Sequence, residues 1–236
     1  NKDLLGITVD FQDKKNNEAE RARRFSKEIG IEHEVINLNF KEYKETLKII
    51  LQKLDEPCAD PAIVPAYLIS NLAKKRGIKV LLSGAGADEM FGGYGRHYKT
   101  LNNSLYGKLE FFNKNIANYL GFFPDSIKNI FAKLISKKYA YISNISGQNL
   151  GLLFTLLKKK DREFLIDYID SKISSFFSTN SHNISSEILS LDKKLYLPGN
   201  ILLPLDKVSM MNSVECRVPY LDHRIIEVIN YFKYNV

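Results

Sequence analysis

The chain has 236 residues, of which 44% are apolar and 26% are charged, which is ordinary for a water-soluble globular protein. No apolar run approaches the roughly 20 residues that a membrane-spanning helix needs, and two cysteines are too few for a disulfide scaffold. The formal net charge of +7 comes from basic residues scattered over predicted helix surfaces, so we expect neither a nucleic-acid nor a membrane partner. Because the histidines are isolated in sequence, we predict no metal-ligating cluster. The composition favours a reduced, cytoplasmic setting.

The first eighty residues alternate between strand and helix patterns. Residues 4–11 form a mostly apolar run of strand length, as in a strand buried on both faces, and residues 34–38 and 78–82 are further predicted strands. Amphipathic helices lie between them. Gly30 can close one of these helices in a left-handed conformation, and Gly77 is the predicted stop of another. This alternation predicts an α/β fold with a parallel sheet and flanking helices. In such sheets ligands bind at the carboxyl ends of the strands.

The character of the sequence changes near residue 100. Strand patterns disappear, and apolar residues recur at helical spacing until about residue 196. We therefore predict a parallel α/β part over 1–99, a helical region over 100–196 and a returning segment over 197–236.

The segment Ser83–Tyr94 is rich in glycine and directly follows the predicted strand 78–82. Its small residues would let backbone amides approach a ligand closely. It is not a dinucleotide fingerprint, because Glu89 occupies the third glycine position, and no Walker A lysine follows. Asp88 and Glu89 could serve a metal or an ammonium ion, or could simply complement a helix dipole.

A second unusual segment, residues 197–223, embeds charged residues in apolar sequence. Charged side chains are rarely buried without a partner, so these charges need an explanation. Lys207 could face a phosphate as a point charge. The alternative is structural ion pairing, for which Glu215, Arg217 and Asp222 are the candidates.

Both segments resemble signatures of the asparagine synthetase family. Residues 83–94 are similar to the family's LSGxGxDExFGGY pattern, and residues 206–222 to its D[RK]xSMxxSxExRVPFLD pattern. Residues 55–57 and 65–70 also fit in order and spacing, so the match covers nearly the whole chain. The resemblance implies an ATP-pyrophosphatase (PP-loop) domain, related to the adenine nucleotide alpha hydrolases. It would be the C-terminal synthetase part of a glutamine-hydrolysing enzyme.

The resemblance also implies a reaction. In that family, aspartate attacks ATP to give β-aspartyl-adenylate and pyrophosphate, with ATP and Mg²⁺ as cofactors. Ammonia from an N-terminal glutamine amidotransferase (glutaminase) domain then displaces AMP, which makes the enzyme a ligase of asparagine biosynthesis. By position, the resemblance assigns catalytic roles to Lys207 and Asp88, and cofactor-binding roles to Val9, Ser83, Gly84 and Glu89. Lys207 would neutralise charge on the departing pyrophosphate. The family's assembly could be a homodimer.

This sequence departs from the family pattern in several places. The phosphate-gripping SGGxDS loop does not occur in the 236 residues, and no glutaminase cysteine stands near the start. We therefore expect these residues alone to be inactive and to belong to a larger enzyme. Ala85 stands where well-studied members carry an acidic residue, and the Asp60-Pro61 loop lacks an arginine that some members use.

These departures leave two alternatives open. The acceptor could be another carboxylate, such as a sugar acid for surface polysaccharide or a β-lactam precursor. The chain could also be an inactive nucleotide-binding fragment.

Overall fold

The computed structural model describes residues 4–11, 18–58, 60–102, 141–142, 145, 156–174 and 184–231. The chain forms two compact units, each assembled from two stretches of sequence. The first comprises Asn1–Gly84 with Gly199–Pro219, and the second Ala85–Pro198 with Tyr220–Val236. Most of the predicted helical region falls outside the described residues, so the three-part division over 1–99, 100–196 and 197–236 stays a prediction.

The first unit alternates strands and helices, as its sequence pattern predicts. Its first stretch contains β1 (Leu5–Asp10), α1 (Glu18–Ile29), β2 (Glu32–Asn37), α2 (Phe40–Leu51), α3 (Ile63–Lys75) and β3 (Val80–Leu82). Its second stretch adds α8 (Leu203–Met210) and β4 (Glu215–Arg217). The mixed α/β class is confirmed.

Two parallel strand pairs form the sheet structure of the described part of this unit. β1 pairs with β2, so β1–α1–β2 is a βαβ unit. β3 pairs with β4, which belongs to the far end of the sequence. The register runs from Leu5 opposite Glu32 to Asp10 opposite Asn37 in the first pair, and from Val80 opposite Glu215 to Leu82 opposite Arg217 in the second. The second pairing therefore places the start of the glycine-rich segment, at Ser83, next to β4.

The helices of this unit begin and end where local chemistry favours it. At the start of α2, Glu42 N donates to Asn39 Oδ1 at 3.0 Å, and Asn39 N donates to Glu42 Oε2 at 3.3 Å. This reciprocal pair satisfies two amides that the helix leaves without partners. Gly30 and Gly77 follow α1 and α3 with φ angles of 70° and 74°. Glycine adopts such angles without steric cost, and both predicted helix ends are confirmed.

A hydrophobic core joins β1, α2, α3 and α8. Its buried members are Val9, Leu38, Ile50, Ile63, Val64 and Val208. Since these residues come from both stretches of the unit, the core is what holds α8 against α3. This packing matters because α8 carries Lys207.

We predict that Ile50→Ala destabilises the protein by about 2–5 kcal/mol, because the lost side chain leaves a cavity in close-packed surroundings. Ile50 has 0% of its surface exposed, whereas Ile49, next to it on α2, is 44% exposed. Ile49→Ala is therefore the matched control, with an expected change within about 0.5 kcal/mol. Urea unfolding followed by far-ultraviolet circular dichroism measures both. Equal losses in the two variants would contradict this core assignment.

The second unit is helical in its described part. It contains α4 (Ala87–Phe91), α5 (Gly95–Asn102), α6 (Lys159–Ser174), α7 (Ile184–Leu191) and α9 (His223–Tyr231), and a 3₁₀ turn (Pro219–Leu221) begins at the last residue of the first unit. A π-helical segment, Asp192–Leu202, leads from α7 towards α8. Tyr141, Ile188 and Leu191 form a small buried cluster in this unit. Within the described ranges, no helix combines the length and apolarity needed to cross a membrane.

Candidate functional site

The predicted nucleotide-binding residues Ser83 and Gly84 follow β3 at its carboxyl end. Ser83 N donates to Arg217 O at 2.8 Å, so the pairing with β4 continues into the loop. Gly84 is exposed, and a Cβ added there would meet no atom within 4 Å. Its backbone therefore faces open space, as close approach of a ligand requires.

Val9, the other predicted nucleotide-binding residue of this unit, lies near the end of β1. Its side chain is buried in the same core as Val208. Only the backbone of Val9 is therefore suited to contact a ligand. The shared core places β1 and α8, and hence Val9 and Lys207, in one unit.

Lys207 lies on α8 next to the buried residues Val208 and Ser209, with 21% of its side chain exposed. Its Nζ donates a hydrogen bond to Asp55 Oδ1 and lies 3.9 Å from Glu56 Oε2. The hydrogen bond to Asp55 raises the pKa of Lys207, and the same bond lowers the pKa of Asp55. Both groups are therefore held in their charged forms.

Sequence reasoning did not identify Asp55 as a partner of Lys207. The available signal was weak: residues 55–57 match the family in order and spacing, but they are far from Lys207 in sequence. Asp55 and Lys207 meet only because the hydrophobic core fixes the position of α8.

Asp88, in the second unit, lies on the short helix α4 between glycines. A Cβ on Gly93 would stand 1.9 Å from Asp88 Oδ1, and one on Gly86 would stand 2.5 Å from Leu221 Cδ2. Gly86 and Gly92, on either side of α4, have φ angles of 92° and 80°. Glycine is thus favoured at positions 86 and 92 by conformation, and the loop holds the exposed Asp88 carboxylate against the backbone of Gly93.

Glu89 lies on the same helix but is only 1% exposed. Its Oε1 accepts a hydrogen bond from Tyr94 Oη at 2.6 Å. The structure therefore places this carboxylate in an internal hydrogen bond. The cofactor-binding role assigned to Glu89 stays a prediction.

A buried polar network follows the glycine-rich segment within the second unit. The guanidinium of Arg96 lies over the rings of Tyr94 and Tyr196, at 3.6 and 4.2 Å from their centroids. Arg96 Nη2 donates to Asp192 Oδ2 at 3.0 Å, and Nε2 of His97 lies 2.7 Å from the same oxygen. Asp192 has 0% of its surface exposed, so its charge depends on these partners.

Sequence reasoning did not predict this network. Asp192 gave no clear signal of a buried charge, because Lys193 and Lys194 follow it directly in the sequence. Its partners could not be identified, because Arg96 and His97 lie far from it along the chain.

We predict that Arg96→Met destabilises the protein by about 3–5 kcal/mol, because it removes the main counter-charge of a fully buried carboxylate. The control is Arg76→Met, which breaks an exposed pair between Arg76 Nη2 and Glu34 Oε2 at 2.6 Å. An exposed pair contributes less than about 1 kcal/mol. Urea unfolding measures both variants. Similar small losses would show that the Arg96–Asp192 pair is not a significant source of stability.

A second prediction concerns alkaline pH. Burial, together with the Glu89 carboxylate, raises the pKa of Tyr94, and burial with Asp192 raises that of Tyr141. Raised pKa values contribute stability that is fully present below the unfolded pKa, about 10, and lost as the pH rises above it. We expect the free energy of unfolding to fall between about pH 9 and about pH 11.

The slope of that fall is the measurement. It should be shallower in Tyr94→Phe/Tyr141→Phe, which lacks both phenol groups, and unchanged in Tyr98→Phe, whose ring is exposed. An identical slope in the double variant would contradict the assignment of these two protons.

The candidate structural ion pairs are only partly as predicted. Glu215 and Arg217 do pair, with Arg217 Nε donating to Glu215 Oε1 at 2.8 Å. Both side chains are exposed, so the pair contributes little stability. Asp222 instead binds Arg224, whose Nη2 donates to Asp222 Oδ2 at 2.7 Å. Within the part of the chain that the structure describes, no three His, Cys, Asp or Glu residues form a cluster able to hold a metal.

The sequence on which these features lie matches the family model for asparagine synthase over residues 1–234. The chain belongs to the asparagine synthase family. This confirms the resemblance that the segments 83–94 and 206–222 carry.

Individual relatives agree with the asparagine synthase assignment. The chain is 29% identical over 231 residues to glutamine-hydrolyzing asparagine synthetase 1 of Bacillus subtilis strain 168, covering 95% of this chain and 36% of that protein. It is 31% identical over 83 residues to glutamine-hydrolyzing asparagine synthetase B of Escherichia coli K12, covering 34% of this chain and 15% of that protein. The chain thus spans about a third of the length of the Bacillus subtilis protein.

Proposed function

We propose that this chain is the synthetase part of an amidotransferase that converts aspartate, ATP and glutamine-derived ammonia to asparagine, AMP and pyrophosphate. The observation that carries the proposal is the placement of Lys207. Its charged amine belongs to a family motif and lies in the same α/β unit as the exposed backbone of Gly84. Family membership supports the reaction class. The names of the relatives support aspartate as the default acceptor.

The proposed chemistry has two steps. An oxygen of the aspartate side-chain carboxylate forms a bond to the α-phosphorus of ATP, and the bond from that phosphorus to the bridging oxygen of pyrophosphate breaks. Pyrophosphate leaves with the bonding electrons. Ammonia then attacks the acyl carbon of the adenylate, AMP leaves, and the attacking nitrogen loses a proton to solvent.

Each residue has a role suited to its position. The backbone at Val9, Ser83 and Gly84 would hold the adenylate. Main-chain amides and carbonyls can hydrogen-bond to a nucleotide where no side chain blocks access. Lys207 would stabilise the negative charge that grows on the departing pyrophosphate. Asp88 would present its exposed carboxylate to the amino acid or to a metal.

Mg²⁺ belongs to the proposal through the phosphates of ATP. This ion is commonly held by one or two carboxylates together with substrate phosphates, rather than by a complete protein cage. By its place in the family motif, Asp88 is the residue that would contribute a carboxylate to such a ligand set. When bound, the ion would offset negative charge on the phosphates.

The proposal requires parts that these 236 residues do not contain. The SGGxDS loop that grips pyrophosphate in the family does not occur in them, nor does a glutaminase domain. β1 and β3 each pair with a single neighbour among the described strands, so each keeps an edge at which a further strand could add. We propose that further sequence supplies the phosphate loop and the ammonia-producing domain.

The test is ATP–pyrophosphate exchange by the full-length protein that carries this chain. We predict exchange that depends on aspartate and that falls by at least about 100-fold in Lys207→Ala, because a preorganised charge is lost at the leaving group. Lys74→Ala, an exposed change at the end of α3, is the control for net charge. Undiminished exchange in Lys207→Ala would remove the role given to Lys207.

A second candidate is the same adenylation on a different carboxylate, motivated by Ala85 and the Asp60-Pro61 loop. Measuring exchange with aspartate, sugar acids and β-lactam precursors in parallel decides between the two. Exchange with aspartate alone excludes the alternative. ATP binding without exchange by any acceptor would favour a non-catalytic nucleotide-binding protein.

A further inference from the structure

We propose that Asp55 is a positioning residue for the reaction: its carboxylate holds the Lys207 ammonium in place before the phosphates arrive. This inference rests on the proposed function, because it assigns Asp55 an effect exerted through Lys207. It concerns a residue for which the sequence patterns supply no role.

The geometry singles out Asp55 among nearby acidic groups. Lys207 Nζ donates directly to Asp55 Oδ1, whereas Glu56 Oε2 is 3.9 Å away, beyond a normal hydrogen bond. The backbone that carries each partner is set by the core: α8 packs on α3, and the loop holding Asp55 follows α2, which lies in the same core through Ile50.

Fixing the Lys207 ammonium before ATP binds would favour the reaction for a physical reason. A lysine side chain rotates about four bonds, and fixing those torsions costs conformational free energy. Without a partner, ligand binding would have to supply that free energy. A carboxylate partner fixes one geometry in advance and keeps the amine protonated. A charge already in place needs little reorganisation when negative charge develops on the leaving pyrophosphate.

The exposure of the two side chains supports positioning over a purely structural role. Asp55 is 74% exposed and Lys207 only 21% exposed, so the pair lies at the surface with the amine the more confined partner. An exposed ion pair adds little to folding stability. Loss of Asp55 should therefore alter the behaviour of Lys207 without unfolding the protein.

The first test is kinetic and uses the full-length protein. In Asp55→Asn, the maximal rate of ATP–pyrophosphate exchange should fall roughly 10- to 100-fold, as misplacement of a reacting group does, while the KM for ATP changes by less than about threefold. Asp55→Glu retains the charge and should recover most of the rate. The matched control is Glu34→Gln, which removes an equal charge from the exposed pair with Arg76 in the same unit.

Opposite kinetic results would overturn the proposal. An unchanged maximal rate with a lower KM would show that Asp55 merely competes with the phosphates for Lys207. A higher KM with an unchanged rate would show that it acts in ground-state binding. Loss of folding in Asp55→Asn, detected by circular dichroism, would show a structural role instead.

The second test does not depend on catalysis. Reductive methylation with ¹³C-formaldehyde labels lysine amines for NMR, and Lys207→Arg identifies the Lys207 signal. Because the bond to Asp55 raises the pKa of Lys207, the titration midpoint of that signal should move to lower pH in Asp55→Asn. An unmoved midpoint would overturn the pairing. Normal exchange in Lys207→Ala would overturn the role proposed for Asp55, whereas a moved midpoint in a full-length protein that shows no exchange with any carboxylate would refute the proposed function and leave the pairing intact.

Discussion

Burial of one face of α8 is the interaction on which the candidate site depends. Val208 and Ser209 are enclosed in the first unit, and Val208 shares its core with Val9 and Ile50. Close packing allows such a helix little freedom to shift or rotate. The adjacent Lys207 is therefore presented where Asp55 can accept its hydrogen bond. The position of a charged group at the surface is thus decided by apolar contacts beneath it.

The second unit contains buried charged residues that are held by internal partners. Glu89 and Asp192 are carboxylates removed from water, and an unpaired buried charge is strongly unfavourable. Tyr94 donates to Glu89, while Arg96 binds Asp192 and lies over the Tyr94 ring. These links connect α4, α5 and the start of the π-helical segment. The glycine-rich segment is held in shape by this network as well as by its glycines.

The Asp55–Lys207 pair shows how the lysine proposed to meet the phosphates can be held in one position without a ligand. An isolated, partly confined ammonium would lose hydration without compensation, whereas a nearby carboxylate restores a favourable partner. The same carboxylate carries an exposed charge that solvent screens, so exchange of partners remains feasible. One carboxylate therefore both orients the Lys207 ammonium and leaves it able to exchange partners.

The sequence alone determined what depends on neighbours along the chain. Strand and helix alternation, helix ends at Gly30 and Gly77, and the family motif around Lys207 were all predictable, because they reflect local backbone preference and spacing. Only the tertiary structure decided which distant side chains meet: Asp55 with Lys207, and Arg96 with Asp192. It also decided that Glu89 points inward, since helical position does not say which face is covered. Such pairings depend on how elements that are distant in sequence pack together, and that packing is a property of the whole fold.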